Sequence, residues 1–187
     1  MKRLLLALLF SPALFAQNLS DEALMEEVQK TTFKYFWDFA HPVSGLARER
    51  SNTTFGYGLE TCTSGGTGFG IMAIVVGVER GWITREEGAA RVLKILKFLE
   101  KVPVYHGAFA HWIHGETGQT LPFSRKDDGG DLVETAFLMQ GILCARKSSS
   151  RPSHHLLAGS RMGLVYQRKH KPTLLALESE QRLGHEF

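Results

Sequence analysis

Three observations predict an all-α fold: four stretches carry apolar residues at helical spacing, polar connections between them are short, and only one stretch is rich in β-type residues. The first stretch, 20–40, opens with Ser20 as N-cap. Acids fill its first turn, where the positive end of the helix dipole favours them. Leu24, Val28, Thr32, Tyr35 and Phe39 then repeat along one side. The second, "CTSGGTGFGIMAIVVGVERGW" at 62–82, reads as a tight turn feeding a fully buried helix. Its glycines stand where backbones or a ligand come close. In the third, 83–102, Thr84 and Glu87 form a capping box, and Val92, Leu93, Leu96 and Leu99 an apolar face. Residues 105–124 surround a Gly-Glu-Thr-Gly turn and read as a short hairpin or extended loop. The fourth helix, within 127–146, places Leu132, Ala136, Met139 and Leu143 on one face.

The 187 residues suffice for one domain with a real core, and a 43% apolar share argues against a disordered chain. Residues 1–16 read as a signal peptide, with Lys2 and Arg3, an apolar run, then Ala16 near the cut. The expected location is therefore the periplasm or outside the cell, with no membrane span after cleavage. From residue 147 onward there are seven Lys and Arg against three Asp and Glu, which leaves fifteen against sixteen before it. Lys2 and Arg3 leave with the signal, so the body, 17–146, is slightly acidic. The tail, 147–187, holds only Tyr166 and Phe187 of the aromatic residues and is expected to be disordered or translated out of frame. Basic charge without interleaved aromatics gives no case for nucleic acid. Cys62 and Cys144 lie in no CxxC motif, which argues against a metal knuckle or redox pair; free thiols and a disulfide both stay open.

The chemistry concentrates in "SRKDDGGDLVETAF", 124–137. On a helix beginning near Asp127, residues Asp127, Asp131 and Glu134 fall at i, i+4 and i+7 and share one stripe. Like charges so spaced repel and make poor structural glue, although Asp127 and Asp128 could instead cap the helix above a solvated face. Carboxylates beside Arg125 and Lys126, close to aromatic-rich loops, suit a polyol ligand. Trp37, Phe36 and Trp112 are flat platforms for sugar rings. Paired carboxylates are also the machinery of glycosidic cleavage. Other chemistries lack support. The glycines at 66, 68 and 70 are spaced two apart with no Gly-Lys-Ser/Thr ending, so no nucleotide site is expected. His106, His111 and His114 with Glu116 match no HExxH pattern, so no metal is expected and the histidines serve as hydrogen-bonding groups, His111 among the substrate-binding candidates. Glycines stand where an EF-hand needs oxygen ligands. Ser64 and Ser124 lack a GxSxG context.

"TTFKYFWDFAHPVSGLARERSN", "GGTGFGIMAIVVGVERGWITREE" and "YHGAFAHWIHGETGQTLPFSRKDDGGDLVETAFLMQGIL" together resemble the N-terminal part of the bacterial glucoamylase-like proteins, the group that includes endo-β-1,2-glucanases. The resemblance covers about residues 22–146. It implies part of an (α/α)6 barrel, a toroid with a central sugar cleft. It further implies hydrolysis of β-glucan of the β-1,2 type by an inverting two-carboxylate mechanism, with no organic cofactor. In that frame Asp127, Asp131 and Glu134 touch sugar or the attacking water, and Trp112, Glu116 and Arg125 line the same cleft. The family is much longer and continues differently after "GILCAR", so the chain as written is expected to be truncated and inactive. Carbohydrate binding without catalysis is the alternative. An incomplete ring leaves apolar helix faces open and predicts self-association.

Overall fold

The computed structural model describes residues 19–51 and 58–149, so the leader at 1–16 and residues 150–187 of the tail lie outside the described residues. Four helices carry the fold: α1 Asp21–Trp37, α2 Ser64–Glu79, α3 Arg85–Leu99 and α4 Leu132–Ser149. The fourth helix continues three residues past the expected tail boundary at 147. Among the described residues no helix is long and apolar enough to cross a membrane.

The chain is not all-α. Strands β1 Thr61–Thr63, β2 Val104–Tyr105, β3 Ala108–Phe109, β4 Trp112–His114 and β5 Thr120–Leu121 form an antiparallel β1-β4-β5 sheet and a separate β2–β3 hairpin. The expected hairpin at the Gly-Glu-Thr-Gly turn is β4–β5, closed by Gly118 at φ 79°. The β2–β3 turn is made by His106 and Gly107 at φ 50° and 90°, the mirror-image geometry that suits strand twist. Strand β1 gave no sequence signal, because three residues are too few to show alternation.

Capping follows the sequence reading. Ser20 Oγ accepts the Ala23 N–H at 3.3 Å, and Thr84 and Glu87 complete a reciprocal capping box. Helix α2 packs against the other three. Phe33 of α1 lies over Gly77, where a Cβ would sit 2.5 Å from its ring. On the other side, α2 and α4 cross at Gly68 and Gly141. Around them a core forms from Leu46, Ile71, Ile74, Val92, Ile95, Leu96, Leu99, Phe109, Ile113, Leu138 and Met139.

Three apolar expectations need correction. In α1, Leu24 and Val28 are exposed and Phe33 makes the buried contact, because only the second half of the helix lies over α2. Helix α2 is not fully buried, since Phe69 and Val76 face out. Leu132, grouped by spacing with buried Met139, is 76% exposed, and Val133 and Phe137 beside it are exposed too. Phe69 and Phe137 pack together at 5.3 Å between ring centroids, so α2 and α4 share one open apolar side. The cysteines are both free, Cys62 buried and Cys144 exposed.

Candidate functional site

Helix α4 begins at Leu132 and not near Asp127, because Asp131 caps it: its Oδ1 accepts the Glu134 N–H at 2.9 Å and its carbonyl the Thr135 N–H at 3.0 Å. The three acids therefore do not form a helical stripe. Asp127 sits in the preceding turn, where its backbone and that of Ser124 exchange hydrogen bonds. Asp127 nevertheless reaches Asp131 in space. The ligating atoms of His111, Asp127 and Asp131 all lie within 4.8 Å of one another, the one such cluster among the described residues. His111 Nδ1 is 2.9 Å from Asp131 Oδ2, so a hydrogen bond accounts for this approach.

Glu134 turns the other way, toward α2. Its Oε2 accepts the Gly65 N–H at 2.8 Å, at the helix end whose free N–H groups attract an anion. A Cβ on Gly65 would meet that same carboxylate at 2.8 Å, which makes glycine a requirement for the contact.

The frame under these groups is tied from three sides. Ser64, at the start of α2, donates its hydroxyl to the Ala110 carbonyl at 2.9 Å and its N–H to the His111 carbonyl at 3.2 Å. Thr135 of α4 accepts the Phe109 N–H at 2.8 Å, and Asp131 donates its N–H to the Phe109 carbonyl at 2.8 Å. Phe123 covers the imidazole, stacked on His111 at 4.2 Å with 23° between planes, and Trp112 meets Phe123 edge-on at 4.9 Å.

Of the sequence candidates, the structure thus brings together Asp127, Asp131, His111 and Trp112, with Glu134 one turn away on α4. Arg125 is exposed in the turn before Asp127. Trp37 is placed elsewhere: it stacks on Phe33 at 5.7 Å, and the Arg91 guanidinium lies 4.3 Å from its ring centre, so its ring packs among side chains of α1 and α3. Glu116, at the β4–β5 turn, borders a separate cavity of about 800 Å³ beside Lys94, Lys97 and Lys101. Sequence reasoning missed Phe123 and Gly65. The glycine-rich run did signal a close approach, but nothing local says to what.

A second histidine also escaped the sequence reading. His41 is buried and its Nε2 lies 2.8 Å from Glu60 Oε2, while its Nδ1 faces the Val43 and Ser44 N–H groups at 3.3 and 3.5 Å. Nδ1 must accept there, so Nε2 carries the proton and donates to Glu60. Behind it, burial pushes the Cys62 thiol up to about 12. That thiol is a packed apolar group and no nucleophile.

No family model matches the chain. Individual proteins do. An exo-β-1,2-glucooligosaccharide sophorohydrolase (non-reducing end) of Parabacteroides distasonis is 53% identical over 130 residues, which is 69% of this chain and 18% of that protein. The endo-β-1,2-glucanase of Chitinophaga pinensis, solved with sophorotriose and glucose, superposes with a TM-score of 0.71 at 43% identity, over 83% of this chain and 36% of that one. The chain is related to the glucoamylase-like β-1,2-glucanase proteins. A candidate glucoamylase from Bacteroides fragilis aligns at a TM-score of 0.73 and 49% identity, over 82% of this chain and 37% of that one. The chain therefore spans about a third or less of the length of these relatives.

Proposed function

We propose that the chain is the N-terminal part of an exported glycoside hydrolase-like protein acting on β-1,2-linked glucan, its helices belonging to an (α/α)6 barrel. One observation carries this reading: Asp127, Asp131 and His111 converge beside the aromatic pair Trp112 and Phe123, with Glu134 on the adjoining turn. Carboxylates that bind hydroxyls next to flat apolar rings are the chemistry of a sugar subsite. The likeness to β-1,2-glucan-cleaving proteins supports this substrate class.

The proposed mechanism is inversion by two carboxylates. An inverting pair stands about 6.5–9.5 Å apart to admit a water. One oxygen of Asp127 lies within 4.8 Å of one of Asp131, short of the spacing an inverting pair needs, so in this reading the two share one side of the scissile bond. The partner across it would come from sequence that the longer relatives hold in addition. The 187 residues alone are accordingly expected not to turn substrate over. The short span favours a second reading for the isolated chain, carbohydrate binding without cleavage. We further read the open side of α2 and α4 as a surface for self-association.

Titrating the purified chain with a β-1,2-linked glucotriose, with a β-1,4-linked one as control, while assaying for released reducing sugar, tests both readings. Linkage-selective binding without product is expected. Turnover abolished by Asp131→Asn would overturn the proposed inactivity, and no binding of either sugar would overturn the carbohydrate assignment.

A further inference from the structure

His111 and His41 each meet one carboxylate, but through opposite ring nitrogens. His41 offers Nε2 to Glu60 because its Nδ1 is occupied by backbone N–H groups. His111 offers Nδ1 to Asp131 Oδ2 at 2.9 Å. Asp131 already accepts the Glu134 N–H on its other oxygen, and an ionised carboxylate only accepts, so the His111 Nδ1 must donate. The hydrogen bond at one imidazole nitrogen sets the state of the other. In the neutral ring, Nε2 is left as a bare acceptor.

Phe123 completes the arrangement. Stacked at 4.2 Å, it fixes the plane of the ring, and Asp131 fixes its rotation about that plane. The ring is partly exposed, with 24% of the His111 side chain open against 19% of that of Asp131. Each Asp131 oxygen already accepts one hydrogen bond, which leaves this carboxylate fewer free lone pairs than Asp127 has.

We infer that His111 Nε2 is the atom that accepts a hydrogen bond from a sugar hydroxyl, and that Asp131 is a positioning residue that selects the His111 tautomer and orients its ring. This rests on the carbohydrate reading above and divides the labour within it. Asp127, which makes no side-chain hydrogen bond among the described residues, stays available for direct contact with sugar or water.

The test is ring-nitrogen NMR on the full 187-residue chain at a pH where the imidazoles are neutral, with His111→Gln used to assign the signals. His111 is expected to show protonated Nδ1 and bare Nε2, while His41 shows the reverse. Asp131→Ser keeps a good helix cap but withdraws the carboxylate. It should abolish the single-tautomer pattern of His111 and leave that of His41 intact, which doubles as the folding control. Adding a β-1,2-linked glucotriose should shift Nε2 of His111, and His111→Phe, which keeps a flat ring but has no acceptor, should weaken binding by about three- to tenfold, the loss of one neutral hydrogen bond. A protonated Nε2 on His111, a tautomer indifferent to Asp131→Ser, or sugar binding that leaves Nε2 unmoved would each overturn the inference. If the tautomer pattern holds and no sugar perturbs any signal, the carbohydrate reading falls and takes the role of Nε2 with it.

Discussion

Gly68 and Gly141 meet backbone to backbone: a Cβ on Gly68 would lie 2.1 Å from the Phe137 carbonyl oxygen, and one on Gly141 would lie 2.2 Å from the Gly68 carbonyl oxygen. Neither obstacle is a side chain that could swing aside. The crossing of α2 and α4 places Gly65 under Glu134, so this contact sets the spacing of the site.

Gly68→Ala and Gly141→Ala should each destabilise the fold by at least the ~1–3 kcal/mol typical of overpacking, since backbone must move. Thermal melts will show it. The double variant should lose less than the sum of the two, because one helix shift relieves both clashes.

The capping box of α3 gives a smaller, local effect. Thr84→Ala removes the side chain that accepts the Glu87 N–H at 3.2 Å and should cost about 1 kcal/mol in chemical denaturation. Thr84→Ser should retain most of it.

Thiol chemistry separates the two cysteines. Exposed Cys144 should react promptly with a thiol reagent in the native protein, and buried Cys62 only after unfolding. Burial raises the Cys62 thiol from 9.0 to about 12, so the native state holds a proton that the unfolded chain gives up. Its contribution to stability is full below pH 9 and should be lost as pH rises toward 12. Cys62→Ala should flatten that slope.

The open apolar side of α2 and α4 should drive association. Light scattering of the 187-residue chain is expected to show oligomers that dissociate on Phe69→Glu with Phe137→Glu, since both rings are exposed and face the same open side. A monodisperse monomer with cooperative melting would refute this surface.

What could be read in the sequence was whatever is written in neighbouring residues. The capping box at Thr84, the N-cap at Ser20, the glycine turn at Gly118 and the apolar face of α3 each depend on positions a few residues apart; all are present, except that Ile95 stands in the buried α3 face where Leu93 was expected. The acidic segment was legible as a site, but its geometry was not. A helix drawn from Asp127 ignores that Asp131, preceded by two glycines, is the better cap. Its other partner, His111, lies twenty residues back, in the bend just before β4. Phe123 over His111 and Gly65 under Glu134 are long-range pairings that no local period reports. The exposure of Leu132 escaped for a related reason: helical spacing says which residues share a face, but not whether another element covers it.

Asp131 starts α4 and steers His111 with the same carboxylate. Fraying of a single helical turn would therefore blind the imidazole while the core beneath stayed intact. On gentle warming, the ring signals of His111 should blur before the helical signal declines, and recognition would be the first thing this protein forgets.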